Sequence, residues 1–114
     1  MSVCWLLLLL AVFSGTVSAQ SRNDRDPCEL QGAVFIEEVE SFADYRVFRE
    51  NVEGFADLLV FREQARTFAD RPGLWYFTDN RAMADFTIAF TETQGFDDFS
   101  VFFTDFKSIA GCRP

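Results

Sequence analysis

A short phrase, Phe-Ala-Asp, recurs along most of this 114-residue chain, and its regular spacing limits the possible folds more than any other feature. Successive copies begin 13, 13, 15, 13 and 13 residues apart. The copies, some degenerate, are Phe42-Ala43-Asp44, Phe55-Ala56-Asp57, Phe68-Ala69-Asp70, Met83-Ala84-Asp85, Phe96-Asp97-Asp98 and Ile109-Ala110-Gly111. One unit cannot bury its apolar side chains alone, so we expect the units to assemble into a single quasi-symmetric body.

A second phrase with the same spacing predicts six β-strands. It begins at Val34, Val47, Val60, Trp75, Ile88 and Val101. Its Val, Ile, Phe and Tyr residues suit a pleated sheet, and a unit of this length leaves little room for a helix. Apolar residues alternate with period two, and the intervening positions are also large, which predicts strand middles buried on both faces. A β-solenoid with one turn per unit is compatible with the spacing.

Each residue of the triad has a predicted role. The Phe is expected to fill one core pocket per unit, and the Ala to permit close approach of the backbone. The Asp precedes the strand and can accept backbone N–H bonds of the connecting turn. These structural turn residues are Asp44, Asp57, Asp70, Asp85 and Asp98. The residues that follow the strands, namely Glu37, Glu50, Glu63, Thr78, Thr91 and Thr104, are expected to lie in solvent.

The triad, its spacing and the terminal phrase Lys107-Ser108-Ile109-Ala110-Gly111-Cys112-Arg113 together resemble the septoil knot domain family. The resemblance covers roughly residues 32–113. It implies a small β-rich fold whose backbone forms a seven-crossing torus knot, which neither composition nor spacing would indicate. It brings no activity, substrate or catalytic residue. Two departures, Asp97 in place of Ala and the inserted Arg71-Pro72-Gly73, affect the local geometry and not the predicted fold.

The first residues predict export. An apolar run ends in the small residues before Gln20, which is typical of a cleaved signal peptide over residues 1–19. Residues 20–31 are interpreted as a flexible N-terminal tail, and residues 32–114 as the β-repeat domain. No later apolar run is long enough to span a membrane. We therefore expect a secreted protein, extracellular or, in a bacterium, periplasmic.

Cysteine usage agrees with export. After removal of Cys4 with the signal, Cys28 and Cys112 remain, one at each end of the repeat region. In an oxidising compartment two thiols placed in this way are expected to form a disulfide; the alternative is two free thiols.

Charge and composition limit the classes of partner. The formal net charge is −8, so nucleic acid and anionic lipid would be repelled. The absence of His excludes Ser-His-Asp and Cys-His catalysis and His-ligated metals. No cofactor is expected. A glycan or a protein remains possible as a ligand, and Trp75-Tyr76 could form a platform for sugar stacking, although their strand positions favour core packing.

Carboxylates are the remaining candidates for chemistry. Asp97 with Asp98, and Glu37 with Glu38, could act as acid and base, but adjacent residues in a strand face opposite ways. The row of triad aspartates could bind calcium, but a single Asp per turn favours capping of the backbone. The sequence therefore predicts a secreted, non-enzymatic module, structural or ligand-binding. The alternative is a small secreted hydrolase that uses carboxylates, such as a glycosidase.

Overall fold

The computed structural model describes residues 25–112, which fold as an all-β domain without α-helices in that range. The predicted signal peptide and residues 20–24 lie outside the described residues. The strands are β1 (Gly32–Ile36), β2 (Tyr45–Arg49), β3 (Leu58–Arg62), β4 (Leu74–Phe77), β5 (Phe86–Thr91), β6 (Phe99–Phe103) and β7 (Gly111–Cys112). Each of the first six contains the beginning of one of the predicted apolar phrases and starts one or two residues before it.

Six parallel strands close into a barrel in the order β4-β1-β5-β2-β6-β3, with β3 pairing back to β4. Strands β1, β2 and β3 therefore alternate with strands β4, β5 and β6. The chain passes around the barrel once with the first three strands and fills the gaps with the second three. The spacing alone was also compatible with a solenoid, but in a solenoid each unit would pair with the next one along the chain.

The barrel interior follows from the period-two pattern of the strands. In β2, Tyr45 and Val47 are buried whereas Arg46 between them is exposed. Residues in register on neighbouring strands share a face, so Val47 lies beside Phe90 and Phe99. The buried core contains Leu30, Val34, Tyr45, Val47, Leu58, Val60, Trp75, Phe86, Ile88, Phe99 and Val101. The intervening large residues, such as Phe48, are only half-buried.

Six connections between strands form an outer layer around the barrel. Because β5 lies between β1 and β2 in the sheet, the connection from β1 to β2 must cross β5, and its 3₁₀ turn Glu40–Phe42 packs there. Comparable turns precede four later strands, at Glu53–Phe55, Arg66–Phe68, Arg81–Met83 and Lys107–Ile109. This layer buries outward-facing strand residues such as Thr87, Ala89 and Ser100. The outer layer therefore explains why strand residues are buried on both faces of the sheet, as the sequence predicts.

The alanine of the triad ends each 3₁₀ turn. The Ala43 N–H donates to the Glu40 carbonyl, after which the backbone becomes extended (φ −90°, ψ 151°) and enters β2. Ala43, Ala56 and Ala69 are all buried, so a small side chain is needed where the connection lies against the barrel. This agrees with the predicted close approach of the backbone.

The start of the described chain closes the barrel at the amino-terminal ends of the strands. Leu30 is fully buried in the core, and its carbonyl accepts bonds from Trp75 Nε1 (3.1 Å) and Gly73 N (3.1 Å). The Tyr45 hydroxyl donates to the Arg25 carbonyl at 3.2 Å. We call residues 25–31 the plug. In the sequence analysis these residues belong to the predicted flexible tail; in the structure Leu30 packs in the core and the Cys28 bridge ties the segment to β7.

A disulfide joins the two ends of the domain. Cys28 and Cys112 are bonded, with Cα atoms 5.3 Å apart, which confirms the predicted pairing. Cys112 belongs to β7, a short strand that runs antiparallel to the start of β3 while β4 pairs with the end of β3. Where these segments meet, a side chain on Gly73 (φ +90°) would overlap the backbone nitrogen of Gly111, so glycine is required there.

Candidate functional site

The triad aspartates clamp neighbouring strands together. Asp57 donates its own N–H to the Ser100 carbonyl (3.1 Å), and its Oδ2 accepts the Ser100 N–H (3.0 Å). The two residues are 43 positions apart. The prediction that Asp accepts backbone N–H bonds is therefore correct in kind. The expected location of the donor, in the connecting turn, is wrong. The donor lies on the adjacent strand β6, which belongs to the second three strands, that is, to the second circuit of the chain around the barrel.

The same exchange occurs at three other aspartates. Their carboxylates accept the N–H groups of residues on the adjacent strand, in the pairs Asp44–Thr87, Asp85–Ala33 and Asp98–Arg46, at 2.7–3.0 Å. Asp70 differs: within residues 25–112 its side chain forms no such bond, and it precedes the inserted residues 71–73. Four of the five predicted turn residues thus have the same structural task.

The carboxylate pairs considered for catalysis have separate tasks. Asp98 holds the Arg46 backbone N–H, whereas Asp97 Oδ1 accepts the N–H of Gly95 within its own turn. Glu37 is buried and Glu38 is exposed. Within residues 25–112 no group of three or more acidic or cysteine side chains is placed to hold a metal ion. Asp97 and Asp98 therefore hold separate backbone N–H groups and are not arranged as an acid–base pair.

Glutamates that follow the first three strands are not in solvent as expected. Glu37 and Glu63 are buried, and their Oε2 atoms lie 2.8 Å from Arg81 Nε and 2.7 Å from Lys107 Nζ. These oxygens have no hydrogen bond of good geometry among the described residues, so the ion pair is what offsets their burial. Each cation lies 44 positions after its glutamate in the chain. Gln94, at the equivalent position, donates to Glu50 at 3.4 Å.

Threonines occupy the same position after the second three strands. The hydroxyls of Thr78, Thr91 and Thr104 accept the N–H two residues further on, at 3.1–3.3 Å. Thr91 and Thr104 are buried. The change from Glu to Thr halfway along the repeat therefore marks the two circuits of the barrel. This signal is present in the sequence and was missed.

Trp75 and Tyr76 do not form an exposed platform. Trp75 is fully buried, with Phe86 edge-on at 5.3 Å, and Tyr76 is half-buried. The strand positions of both residues had favoured core packing, and for Trp75 this is confirmed.

The first residue of each triad lies on the surface, which contradicts the prediction that it fills a core pocket. These side chains are 40–71% exposed: Phe42, Phe55, Phe68, Met83, Phe96 and Ile109. We call them the apolar girdle. They lie on the connections of the outer layer, and the strand residues fill the barrel without them. Exposed apolar positions repeated in this way are typical of an interaction surface.

The carboxyl-terminal ends of the strands form the other end of the barrel. Phe77, Phe90 and Phe103 end the inward rows of β4, β5 and β6 and pack against the core. Arg49 and Arg62 occupy the same position of β2 and β3. They are paired in register with the fully buried Val101 and Trp75, so they share the inner face. We call this the open end, because its rings of Phe77, Phe90 and Phe103 are only partly buried.

The guanidinium groups of Arg49 and Arg62 both lie near the ring of Phe103. Their Cζ atoms lie 4.8 and 5.1 Å from the centroid of Phe103, and Arg62 also lies 4.6 Å from that of Phe77. Both arginines are exposed. Within residues 25–112 neither guanidinium group forms an ion pair or a hydrogen bond, unlike that of Arg46, which pairs with Asp98 at 3.6 Å. Among the described residues, no oxygen therefore accepts the side-chain N–H groups of these two cations.

The pKa of Tyr45 is raised above its ordinary value, chiefly by burial of the hydroxyl at the plugged end of the barrel. The nearby Arg25 acts in the opposite direction. The structure describes no helix in residues 25–112 that has the length and apolar character needed to cross a bilayer.

Comparison with known proteins identifies one family. Residues 27–113 match the 7(1) septoil knot domain, and this match covers well over half of the chain. The sequence matches no curated protein and no solved structure. The closed barrel of short parallel strands and the family match agree with the resemblance drawn from the triad and the terminal phrase. The chain therefore belongs to the 7(1) septoil knot domain family.

Proposed function

We propose that this protein is a secreted, non-enzymatic interaction module that binds a basic protein partner through its apolar girdle. The observation that carries the proposal is the exposure of an apolar side chain at the same position of all six units. Phe55, for example, is 71% exposed. Burying such a side chain in an interface contributes about 1.5–3 kcal/mol, so several together can hold a partner.

Secretion is supported by two features. The first nineteen residues have the pattern of a signal peptide. The Cys28–Cys112 disulfide is compatible with an oxidising compartment.

The charge around the girdle favours a basic partner. Exposed acidic side chains lie on the same connections, among them Glu38, Glu40 and Asp79. With a net charge of −8, the surface attracts cations and repels anionic lipid. A protein surface that combines apolar side chains with Lys or Arg fits these properties better than a membrane does.

A non-enzymatic role is supported by the tasks of the carboxylates. Four triad aspartates hold backbone N–H groups, and Glu37 and Glu63 are held in ion pairs. Incubation with 4-nitrophenyl glycosides should release no 4-nitrophenol above the buffer rate. Release that is lost in Asp98→Asn would contradict this part of the proposal.

Binding can be tested with a synthetic amphipathic helix that carries Leu on one face and Lys on the other. Calorimetry should detect binding to the mature protein. The triple variant Phe42→Ser/Phe55→Ser/Phe68→Ser should bind at least tenfold more weakly, while its circular dichroism spectrum stays unchanged because these side chains are exposed. A peptide of the same charge with Ser in place of Leu is the control.

Three results would contradict the proposed partner class. These are equal binding by the triple variant, equal binding of the Ser control peptide, and binding to zwitterionic vesicles in preference to the peptide. Sedimentation of the mature protein alone tests the remaining occupant, a second copy of the chain, which the net charge disfavours.

A further inference from the structure

We propose that the open end of the barrel is a binding site for a small organic carboxylate with an apolar or aromatic body. The site consists of Arg49 and Arg62 above the rings of Phe77 and Phe103. It shares no residue with the apolar girdle, so this proposal and the proposed function can be tested independently.

The first step is the position of the two arginines in the repeat. They lie 13 residues apart, at the last position of β2 and β3, and the equivalent residue of β1 is Ile36. The inner face otherwise carries apolar side chains, and packing would be served by aliphatic residues at these two positions as well. Instead, two cations are placed on the inner face of an acidic chain.

The second step is the lack of compensation for their charge. Both Cζ atoms lie within 5.1 Å of the same Phe103 centroid, because Arg49 and Arg62 come from the two strands that flank β6. Attraction to the ring face offsets part of the repulsion between them. Among the described residues no carboxylate pairs with either of them, whereas Arg46, Arg66 and Arg81 each have one.

The third step is the chemistry that such a pair recognises. A guanidinium group presents its N–H donors in a planar fork that matches the two oxygens of a carboxylate. A carboxylate between Arg49 and Arg62 would accept bonds from both and remove their mutual repulsion. Because the groups are held on the ends of rigid strands, little order is lost on binding.

The fourth step is the selection of a small organic anion over a polyanion. The rings of Phe77, Phe90 and Phe103 are only partly buried and offer apolar contact to the body of the ligand. Exposed acids lie two residues after three of the strands at this end, namely Glu38, Asp79 and Asp105. The acidic side chains would repel a nucleic acid or a sulfated polysaccharide. A ligand with a single carboxylate can contact the arginines without approaching these acidic side chains.

The test is a titration of the mature, oxidised protein with benzoate, followed by NMR signals of the Arg side-chain Nε–H groups and the Phe rings. Benzamide, which has the same shape without the charge, and inorganic phosphate are the comparison probes. We expect saturable shifts at Arg49, Arg62, Phe77 and Phe103, with benzoate binding at least tenfold more tightly than benzamide or phosphate.

Variants separate charge from shape. Arg49→Gln/Arg62→Gln should weaken benzoate binding at least tenfold. Arg46→Gln, an exposed arginine at the opposite end of the barrel, should leave it unchanged. If the double variant loses its native spectrum, the single change Arg62→Lys provides the test, because Lys keeps the charge and loses the fork; it should weaken binding severalfold.

Four results would overturn the inference. They are the absence of saturable shifts up to roughly 10 mM benzoate, equal affinity for benzamide, equal affinity for phosphate, and shifts that map to Arg46 instead of the open end. None of these results bears on binding at the apolar girdle.

Discussion

The two ends of the barrel are built from the same repeat yet differ in how they are closed. At the amino-terminal ends of the strands, the plug inserts Leu30 into the core and the disulfide fixes Cys28 to β7. At the carboxyl-terminal ends, the side chains of Arg49 and Arg62 lie over the rings of Phe103 and Phe77. The comparison teaches that a repetitive chain gains a distinct structural end from residues outside its repeat, and a distinct candidate binding end from a change of residue type at one position of the repeat. The following variants test this difference between the two ends.

The largest effect is expected from the disulfide. The bridge joins residues 84 positions apart, so it removes much of the conformational entropy of the unfolded chain. Cys28→Ser/Cys112→Ser should lower the free energy of unfolding by about 4–5 kcal/mol. Urea denaturation of the oxidised protein and the double variant measures it. A loss of less than about 1 kcal/mol would show that the plug is held by its packing without the bridge.

Two aliphatic residues of similar size compare the ends directly. Leu30→Ala at the plugged end should cost about 2–5 kcal/mol, because it leaves a cavity in the core. Ile36→Ala at the open end should cost only about 1 kcal/mol, because the side chain is already 38% exposed. Denaturation curves of the two variants give both values. Equal costs would mean that the open end is packed as fully as the plugged end.

The aspartate clamps are at the amino-terminal ends of the strands, and the repeat provides its own control. Asp57→Ala should cost about 1–3 kcal/mol, because the Ser100 N–H loses its acceptor. Asp70→Ala changes the same triad position where no clamp is formed and should have little effect. Thermal unfolding of both variants tests this, and an equal shift in the two melting temperatures would refute the clamp.

The smallest effect concerns the hydroxyl that holds the plug. Tyr45→Phe removes the bond to the Arg25 carbonyl and should cost about 0.5–1.5 kcal/mol at neutral pH. Burial raises the pKa of Tyr45 in the folded state, so the folded protein holds this proton more tightly than the unfolded chain. Its contribution is present below about pH 10 and is lost as the pH rises through the folded pKa.

The variant serves as the control for this pH dependence. Urea midpoints from about pH 8 to about pH 11 should fall more steeply for the parent protein than for Tyr45→Phe. Parallel curves would show that the hydroxyl is not buried in solution.

The repeat made the strands predictable from sequence, but not the way they pair. Local patterns such as Phe86/Ile88/Phe90 define a strand and its inner face wherever it lies. The pairing of Asp57 with Ser100 joins residues 43 positions apart, and no local preference of the chain encodes that choice. The residue at the end of each strand phrase is Glu for the first three strands and Thr for the second three, and this change alone distinguishes the two sets. It can be interpreted only once the strand pairing is known.

The apolar girdle shows the main error of sequence reasoning. The first residue of the triad, a Phe in four of the six units, was interpreted as core, because large apolar residues are usually buried. The strand residues already fill the barrel, so Phe42 and its equivalents remain on the outer layer. The open end was also missed, since the sequence assigns no role to Arg49 and Arg62 and their inward direction depends on the register with Val101 and Trp75.

The most direct test of the contrast between the two ends uses Trp75, the single tryptophan outside the predicted signal peptide. Its indole is fully buried beneath the plug and donates to the Leu30 carbonyl. In the mature, oxidised protein its fluorescence should be blue-shifted and weakly quenched by acrylamide. Leu30→Asp should make it red-shifted and readily quenched, whereas Ile36→Asp at the open end should leave it unchanged. Ready quenching in the parent protein, or an equal response to the two changes, would contradict a barrel plugged at one end and open at the other.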